Sequence, residues 1–377
     1  METGPLSIHR LLAGMKKHDA SDLHIKVGVP PVYRIGGLLK ALAAEPLTEE
    51  EADHLMDPIV PEALKKRFES GGNLDFATHL KDGDRFRINM FRAGNHTHAA
   101  IRRVKAEIPS YEALHLPPVY GHIIDTCMEG LVLIVGVTGS GKSSTLAAMI
   151  EHINATRAEN IITVEDPVEY RFIPKKSIIS QREIGIDVES YPLALRYIVR
   201  EDPDVVFIGE MRDHDTVLAA VQAAETGHLV FGSMHTADTM QAFSRILEFF
   251  PSHEHGFLRH ALSNTLKAVC AQRLLPALPE VGVGCVPACE VLLGTSTVRD
   301  KIHEGDDQAL PSIVSRCEEG MQSFTWALTD LVKKEWVSIG VAMDYAPNRE
   351  ALASELKGVH VKAQGLVNRI KVAGNRS

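Results

Sequence analysis

One stretch constrains this chain more than any other. Residues 130–135 read Gly-Leu-Val-Leu-Ile-Val, and the next eight are Gly136-Val137-Thr138-Gly139-Ser140-Gly141-Lys142-Ser143. Ser144 and a helical pattern, TLAAMIEHINATR, follow. An apolar strand running into G-x-x-x-x-G-K-S and then into a helix is the context a phosphate-binding loop needs. The glycines let successive backbone N–H groups converge on phosphate, and the helix N-terminus adds partial positive charge. Lys142 is placed to reach the β- and γ-phosphates of a nucleoside triphosphate, and Ser143 to hold Mg2+. The run Gly136 to Ser144 is the candidate nucleotide site, with ATP and Mg2+ as expected ligands.

The strands around that loop carry the other candidate groups. NIITVED, DVVFIGE and HLVFGSMH are apolar runs that end in polar residues, with helical stretches between. Such alternation predicts a parallel sheet covered on both faces. Functional groups in such sheets gather at the C-terminal strand ends. DPDVVFIGE (202–210) delivers Glu210 there, a candidate general base and metal acid. The acidic run ITVEDPVEY (162–170) places Glu165, Asp166 and Glu169 after another strand, with Glu165 a candidate metal acid. That run equally suits a solvated turn around Pro167. His228 and His235 flank HLVFGSM, where they either bracket a site or serve structurally. Arg196, Arg200 and Arg212 lie near the Glu210 strand in sequence, and Arg87, Arg102 and Arg103 lie earlier. Planar, permanently charged Arg suits a phosphoryl clamp, though an exposed Arg serves surface ion pairs as readily.

A chain of 377 residues accommodates two domains. Residues 22–105 read as β-rich, with two short strands around Gly36-Gly37. Residues 48–70 read as helical behind a Thr48/Glu51 capping box. NLDFATHL, an Asp82-Gly83 turn, RFRINMF and HTHAAIRRV read as an antiparallel meander. Residues 107–121, with three prolines, read as a linker and a short helix start. Residues 254–275, and nearly all beyond 296, read as helical. No uninterrupted apolar run of about 18 residues is present, and no signal peptide is read at the start. The formal charge of -9 argues against a nucleic-acid partner. Cys127, Cys270, Cys285, Cys289 and Cys317 read as reduced thiols in the cytoplasm. The end of the chain, Lys357, Lys362, Arg369, Lys371 and Arg376 without an acid, reads as a solvated terminus.

Taken together, SDLHIKVGVPPVYRIGG, GVTGSGKSS, TVEDPVEY, LRYIVREDPDVVFIGEMRD, AAETGHLVFGSMHT and LKAVCAQRLLP resemble the secretion-superfamily ATPases. The chain is most similar to the type IV pilus retraction ATPases (the PilT/PilU group), from about residue 5 to about residue 340. The resemblance implies an α/β chain. An N-terminal PAS-like α+β domain (1–108) and a linker (109–121) precede a RecA-like P-loop NTPase core (122–296). A helical C-terminal part with a tail (297–377) follows. It implies that Glu210 is the catalytic glutamate, that Glu169 with Glu165 and Asp166 forms the acidic box, and that His228 and His235 form the histidine box coupling nucleotide state to domain motion. Arg196, Arg200 and Arg212 match arginines that contact phosphate or an interface. Arg87 and Arg102 match first-domain arginines that approach the nucleotide.

The resemblance further implies a homohexameric, ATP-hydrolysing motor for pilus retraction and twitching motility. Its implied place is cytoplasmic, peripheral at the inner face of the cytoplasmic membrane. An inner-membrane platform protein and a paralogous retraction ATPase are its implied partners. Three features favour retraction over assembly or type II secretion: no long N-terminal extension, no four-cysteine zinc knuckle, and STVRDKIHEG (296–305) with GMQSFTWAL (320–328). IRRVKAEIP leans toward PilU-like chains, and HTADTM and REDPDVV toward PilT-like ones. The alternatives are an assembly or secretion motor, or a nucleotide-binding accessory ring subunit.

Overall fold

A computed structural model describes residues 6–35, 38–80, 84–104 and 107–357. The Gly36-Gly37 and Asp82-Gly83 turns, and the basic tail beyond Lys357, lie outside the described residues. The described residues fall into two units. One holds those up to Ile108 with Glu169–Arg171; the other holds Pro109–Val168 and those from Phe172 onward.

The first unit contains α1 (Ile8–Lys17), β1 (Asp22–Ile25), β2 (Val32–Ile35), β3 (Leu38–Ala41), α2 (Glu49–Leu55), α3 (Glu62–Gly71), β4 (Asn73–His79), β5 (Arg85–Ala93) and β6 (His96–Val104). Its strands form one antiparallel sheet in the order β3-β2-β1-β6-β5-β4. Strict alternation along β5 and β6 turns Phe86, Ile88, Met90, Ala99 and Ile101 inward. They bury against Ile8, Leu12 and Met15 of α1.

Residues 48–70 are two helices rather than one. The capping box is present: Thr48 Oγ1 accepts from Glu51 N at 3.2 Å, and Thr48 N donates to Glu51 Oε2 at 2.9 Å. Helix α2 stops before Pro58 and Pro61, because proline removes an N–H and disfavours helical geometry in the preceding residue.

The second unit contains α4 (Val119–Thr126), β7 (Gly130–Val135), α5 (Lys142–Thr156), β8 (Asn160–Glu165), β9 (Ile178–Glu183), α6 (Tyr191–Ile198), β10 (Val205–Ile208), α7 (His214–Glu225), β11 (Leu229–Met234), α8 (Thr239–Glu248), α9 (His255–Thr265), β12 (Leu266–Pro276) and β13 (Cys285–Leu293). Then come α10 (Ser296–Glu304), α11 (Leu310–Ser315), α12 (Phe324–Lys333), α13 (Ile339–Tyr345) and α14 (Arg349–Lys357). The sheet order is β13-β12-β7-β11-β10-β8-β9, parallel throughout except for β13. Every residue of β7, β10 and β11 is buried, so both faces are covered. Leu131, Leu133 and Val135 share a core with α7 and α9, while Val132 and Ile134 alternate to the other face.

The reading of 254–275 as helical is corrected here: α9 ends at Thr265 and β12 begins at once. An apolar run without period-2 alternation does not separate a two-face-buried strand from a buried helix. Strand β13 was masked by Pro287, which an edge strand tolerates because its other side pairs with nothing in the sheet order. Strand β9 was masked by its polar residues, IISQRE. Among the described residues no helix is long and apolar enough to cross a membrane.

Candidate functional site

Strand β7 ends at Val135, and the chain must leave the sheet between its neighbours. A Cβ at Gly136 would stand 2.7 Å from the Gln272 carbonyl oxygen of β12, so only glycine fits. Gly141 caps α5 in the left-handed region, at φ 90°. This tight loop folds Lys142 back over itself. Its Nζ donates to Gly136 O at 2.7 Å and to Val137 O at 3.1 Å, and the residue is 8% exposed. Ser140 is 2% exposed, and its Oγ has no hydrogen-bond partner. The loop therefore brings a cation, an orphaned hydroxyl and the positive end of a helix together. Gln272 Nε2 donates to Thr145 Oγ1 at 2.9 Å, which ties α5 to β12 beneath the loop.

The end of β10 is held by its neighbours. Gly209 N donates to Val164 O at 2.7 Å, Ser233 Oγ donates to Gly209 O at 2.6 Å, and Met211 N donates to Ser233 O at 2.9 Å. Glu210 follows, largely buried. It accepts a hydrogen bond from Arg212 Nη2, and His235 Nε2 stands 3.4 Å from its Oε2. The other nitrogen of that imidazole, Nδ1, is 3.4 Å from Thr138 Oγ1 of the phosphate loop. Burial pushes the Glu210 carboxyl up. The Arg212 hydrogen bond and the charges of His235, Arg212 and Lys142 outweigh it and hold the carboxyl below the usual glutamate range.

At the end of β8, Glu165 is 6% exposed. It accepts from Thr163 Oγ1 at 2.7 Å and from Gln181 Nε2 at 3.2 Å. Parallel register then sets Glu183 of β9 beside it. Gln181, Glu183 and Gln272 were not singled out from sequence. Two lie on β9, whose polar pattern does not read as a strand, and one on β12, whose segment reads as helical from sequence.

The structure separates other candidates. His228 sits at the opposite end of β11 from His235, about 23 Å away at roughly 3.3 Å per strand residue. Its Nδ1 lies 2.9 Å from Ala223 O and 3.0 Å from Thr226 Oγ1, at the end of α7. The two histidines therefore do not bracket one pocket within a chain. Arg196 is exposed on α6 and lines a groove with Asp215, Gln222 and His228. Arg200 is exposed just after α6. Of these three arginines, Arg212 is the one hydrogen-bonded to Glu210. In the first unit, Glu169 Oε1 lies 3.9 Å from Arg87 Nη1. There Arg102 Nε donates to Asp22 Oδ1 at 2.9 Å. Arg103 Nε donates to the buried Asp84 Oδ2 at 2.7 Å.

The donor chemistry suits a hard divalent cation shared with phosphate. Ser143, Glu165 and Glu210 offer oxygen alone. Among the described residues no three His, Cys, Asp or Glu side chains form a closed metal cage. Mg2+ characteristically takes one or two protein carboxylates and completes its shell with substrate phosphate and water.

Comparison with known proteins gives the family. Residues 5–322 match the family described as Type II/IV secretion system protein. The type IV pilus retraction ATPase PilT of Pseudomonas aeruginosa is 37% identical over 334 residues, 88% of this chain and 96% of the relative. The type IV pilus ATPase PilU of the same organism is 36% identical over 353 residues, 93% of this chain and 92% of the relative. The crystal structure of the pilus retraction motor PilT with bound ADP superposes with a TM-score of 0.87 at 39% identity, covering 93% of this chain and all of that one. With that coverage, and with a complete phosphate loop facing the acid of β10, this chain belongs to the Type II/IV secretion system protein family.

Proposed function

We propose that this chain is an ATP-hydrolysing motor that powers type IV pilus retraction. The observation that carries the reading is the bridge Thr138–His235–Glu210, which connects the phosphate loop to the acid at the end of β10. The relatives named for pilus retraction support the choice of task.

In this reading the backbone N–H groups of Gly139 to Ser144 and the Lys142 ammonium bind the phosphates of ATP. Glu210, ionised and aimed by His235 and Arg212, orients the attacking water and accepts its proton. Ser143, Glu165 and Glu210 would hold Mg2+, whose chemistry there is to neutralise charge on the phosphate oxygens. Arg212 holds Glu210 in its charged form. Arg196 and Arg200, exposed in this chain, are free to meet the phosphate or the surface of a neighbouring subunit. Arg87 and Arg102 extend the same role from the first unit, and Glu169 assists metal and water. His228 carries nucleotide state to domain motion from the far end of β11.

Residues 1–108 are assigned to the PAS-like domain, 109–121 to the linker, 122–296 to the ATPase core and 297–377 to the helical part and tail. The motor is a homohexamer at the inner face of the cytoplasmic membrane. It acts on an inner-membrane platform protein, and a PilU-like or PilT-like paralogue is a second ring partner.

Deletion of the gene in its host tests the task, with surface pili counted by electron microscopy. Extra pili with lost twitching, restored by wild type and not by Glu210→Gln, is the expected result. Bald cells would assign an assembly motor instead. Unchanged pili would assign an accessory ring subunit.

A further inference from the structure

The last residues of β12 face two ways, as strand alternation requires. Gln272 turns toward α5 beneath the phosphate loop, and the Leu274 side chain lies 3.6 Å from where a Cβ on Gly141 would stand. Arg273, between them, points to the other face. Its Nη2 donates to Ala237 O at 3.3 Å, in the loop 235–238 that joins β11 to α8. Its Nη1 donates to Tyr345 O at 2.8 Å, at the end of α13. The guanidinium carbon stands 4.4 Å from the ring centre of Phe324, the buried first residue of α12. One side chain therefore touches three segments that are far apart in sequence.

Those segments have different tasks. His235, at the head of the loop, stands between Thr138 of the phosphate loop and Glu210. The far end of the loop is fixed from β13, where Glu290 Oε1 accepts from Thr239 N at 3.0 Å and from Thr239 Oγ1 at 2.7 Å. Glu290 pairs across the ladder with Ala271, two residues before Arg273 and on the same face. The strand pair β12–β13 thus grips the loop at Ala237 and Thr239 and leaves His235 to the phosphate side. Helix α12 carries Trp326, and Trp336 lies just beyond it; these are the two tryptophans of the chain.

The residue type matters here. A guanidinium is a planar fork whose two Nη groups serve two carbonyls at once while its face lies on an aromatic ring. The last carbonyls of a helix have no partner within it, so a cation suits Tyr345 O. A lysine keeps the charge but replaces the fork by a single nitrogen on a shorter stem.

We propose that Arg273 is a positioning residue that couples the nucleotide site to the C-terminal helices. It ties the His235 loop to the start of α12 and the end of α13, so a shift of His235 on nucleotide binding becomes a shift of those helices. Coupling of this kind runs through contiguous contacts between packed elements. The inference rests on the reading of Gly136 to Ser144 as the ATP site.

Full-length wild type is compared with Arg273→Lys, Arg273→Met and His235→Ala. Calorimetric titration with ADP gives the affinity, and tryptophan emission at ADP saturation reports on α12 without turnover. Wild type is expected to bind ADP and to change its emission on binding. Arg273→Lys should keep the thermal midpoint and hold ADP affinity within about twofold, yet lose most of the emission change. Its kcat should fall on the order of tenfold with KM unchanged, as loss of one positioning hydrogen bond does. Arg273→Met, without either donor, should lose the emission change entirely, and so should His235→Ala, where the coupling begins. An undiminished emission change in Arg273→Lys would overturn the proposal and leave the side chain a packing role, whatever the thermal midpoint of Arg273→Met. A wild type that binds ADP with no change in emission would overturn it too. Wild-type protein that binds no ADP would remove the reading of the loop, and the proposal with it.

Discussion

His235 Nε2 stands 3.4 Å from Glu210 Oε2, while the same ring's Nδ1 stands 3.4 Å from Thr138 Oγ1. Both separations are at the long end for hydrogen bonds, where a shift of about half an ångström makes or breaks the contact. The imidazole is therefore poised to transmit a small movement of the phosphate loop to the acid of β10. His235→Ala should retain nucleotide affinity and lose roughly ten- to a hundredfold in kcat. Steady-state kinetics beside equilibrium nucleotide binding checks it. A parallel loss of affinity would place His235 in binding rather than in coupling.

The charged state of Glu210 depends on Arg212, since the guanidinium hydrogen bond is what first offsets burial. A carboxyl depressed in the folded state contributes stability above its unfolded value and loses it as pH falls through the folded value. The acid limb of the kcat–pH profile that belongs to Glu210 thus lies below the ordinary glutamate range in the wild type. Arg212→Ala should move that limb to higher pH. Superimposable profiles would show that Arg212 does not tune the acid.

Adjacent arginines on β6 should differ sharply in stability. Arg103 is 8% exposed and bonded to the buried Asp84 and to Asp19, whereas Arg102 is largely exposed beside Asp22. Removing one member of a buried pair strands the other charge, at about 3–5 kcal/mol. Arg103→Ala should therefore depress the denaturant midpoint strongly, and Arg102→Ala by no more than about 1 kcal/mol. Urea titrations of the two variants decide it.

Gly136→Ala should cost nucleotide binding more than fold. Its Cβ would meet the Gln272 carbonyl of β12, a backbone atom that yields only by moving the strand. The loop would be displaced from its phosphate-binding shape. Affinity for a fluorescent ATP analogue is expected to fall by at least tenfold, with a change in thermal midpoint of a few degrees at most. Unaltered affinity would mean that the loop tolerates the displacement.

What the sequence determined by itself was local. Gly136 to Ser144 were legible because a loop, its glycines and a helix start are set by neighbours in the chain. Glu210 was legible because an apolar strand places its next residues at the sheet end. The Thr48–Glu51 box needs only a three-residue spacing. The tertiary structure decided what depends on distant partners. Arg102 and Arg103 look alike in sequence, yet strand alternation and an Asp 80 residues away or an Asp 19 residues away give them opposite environments. His228 and His235 are seven residues apart and resemble a pair, but a strand is extended, so they stand at opposite ends of β11. Strands β9, β12 and β13 emerge only because neighbours complete their hydrogen bonds, a requirement written in no short window. Burial and pairing are properties of the assembled sheet, and no stretch of the chain contains both halves of such a contact.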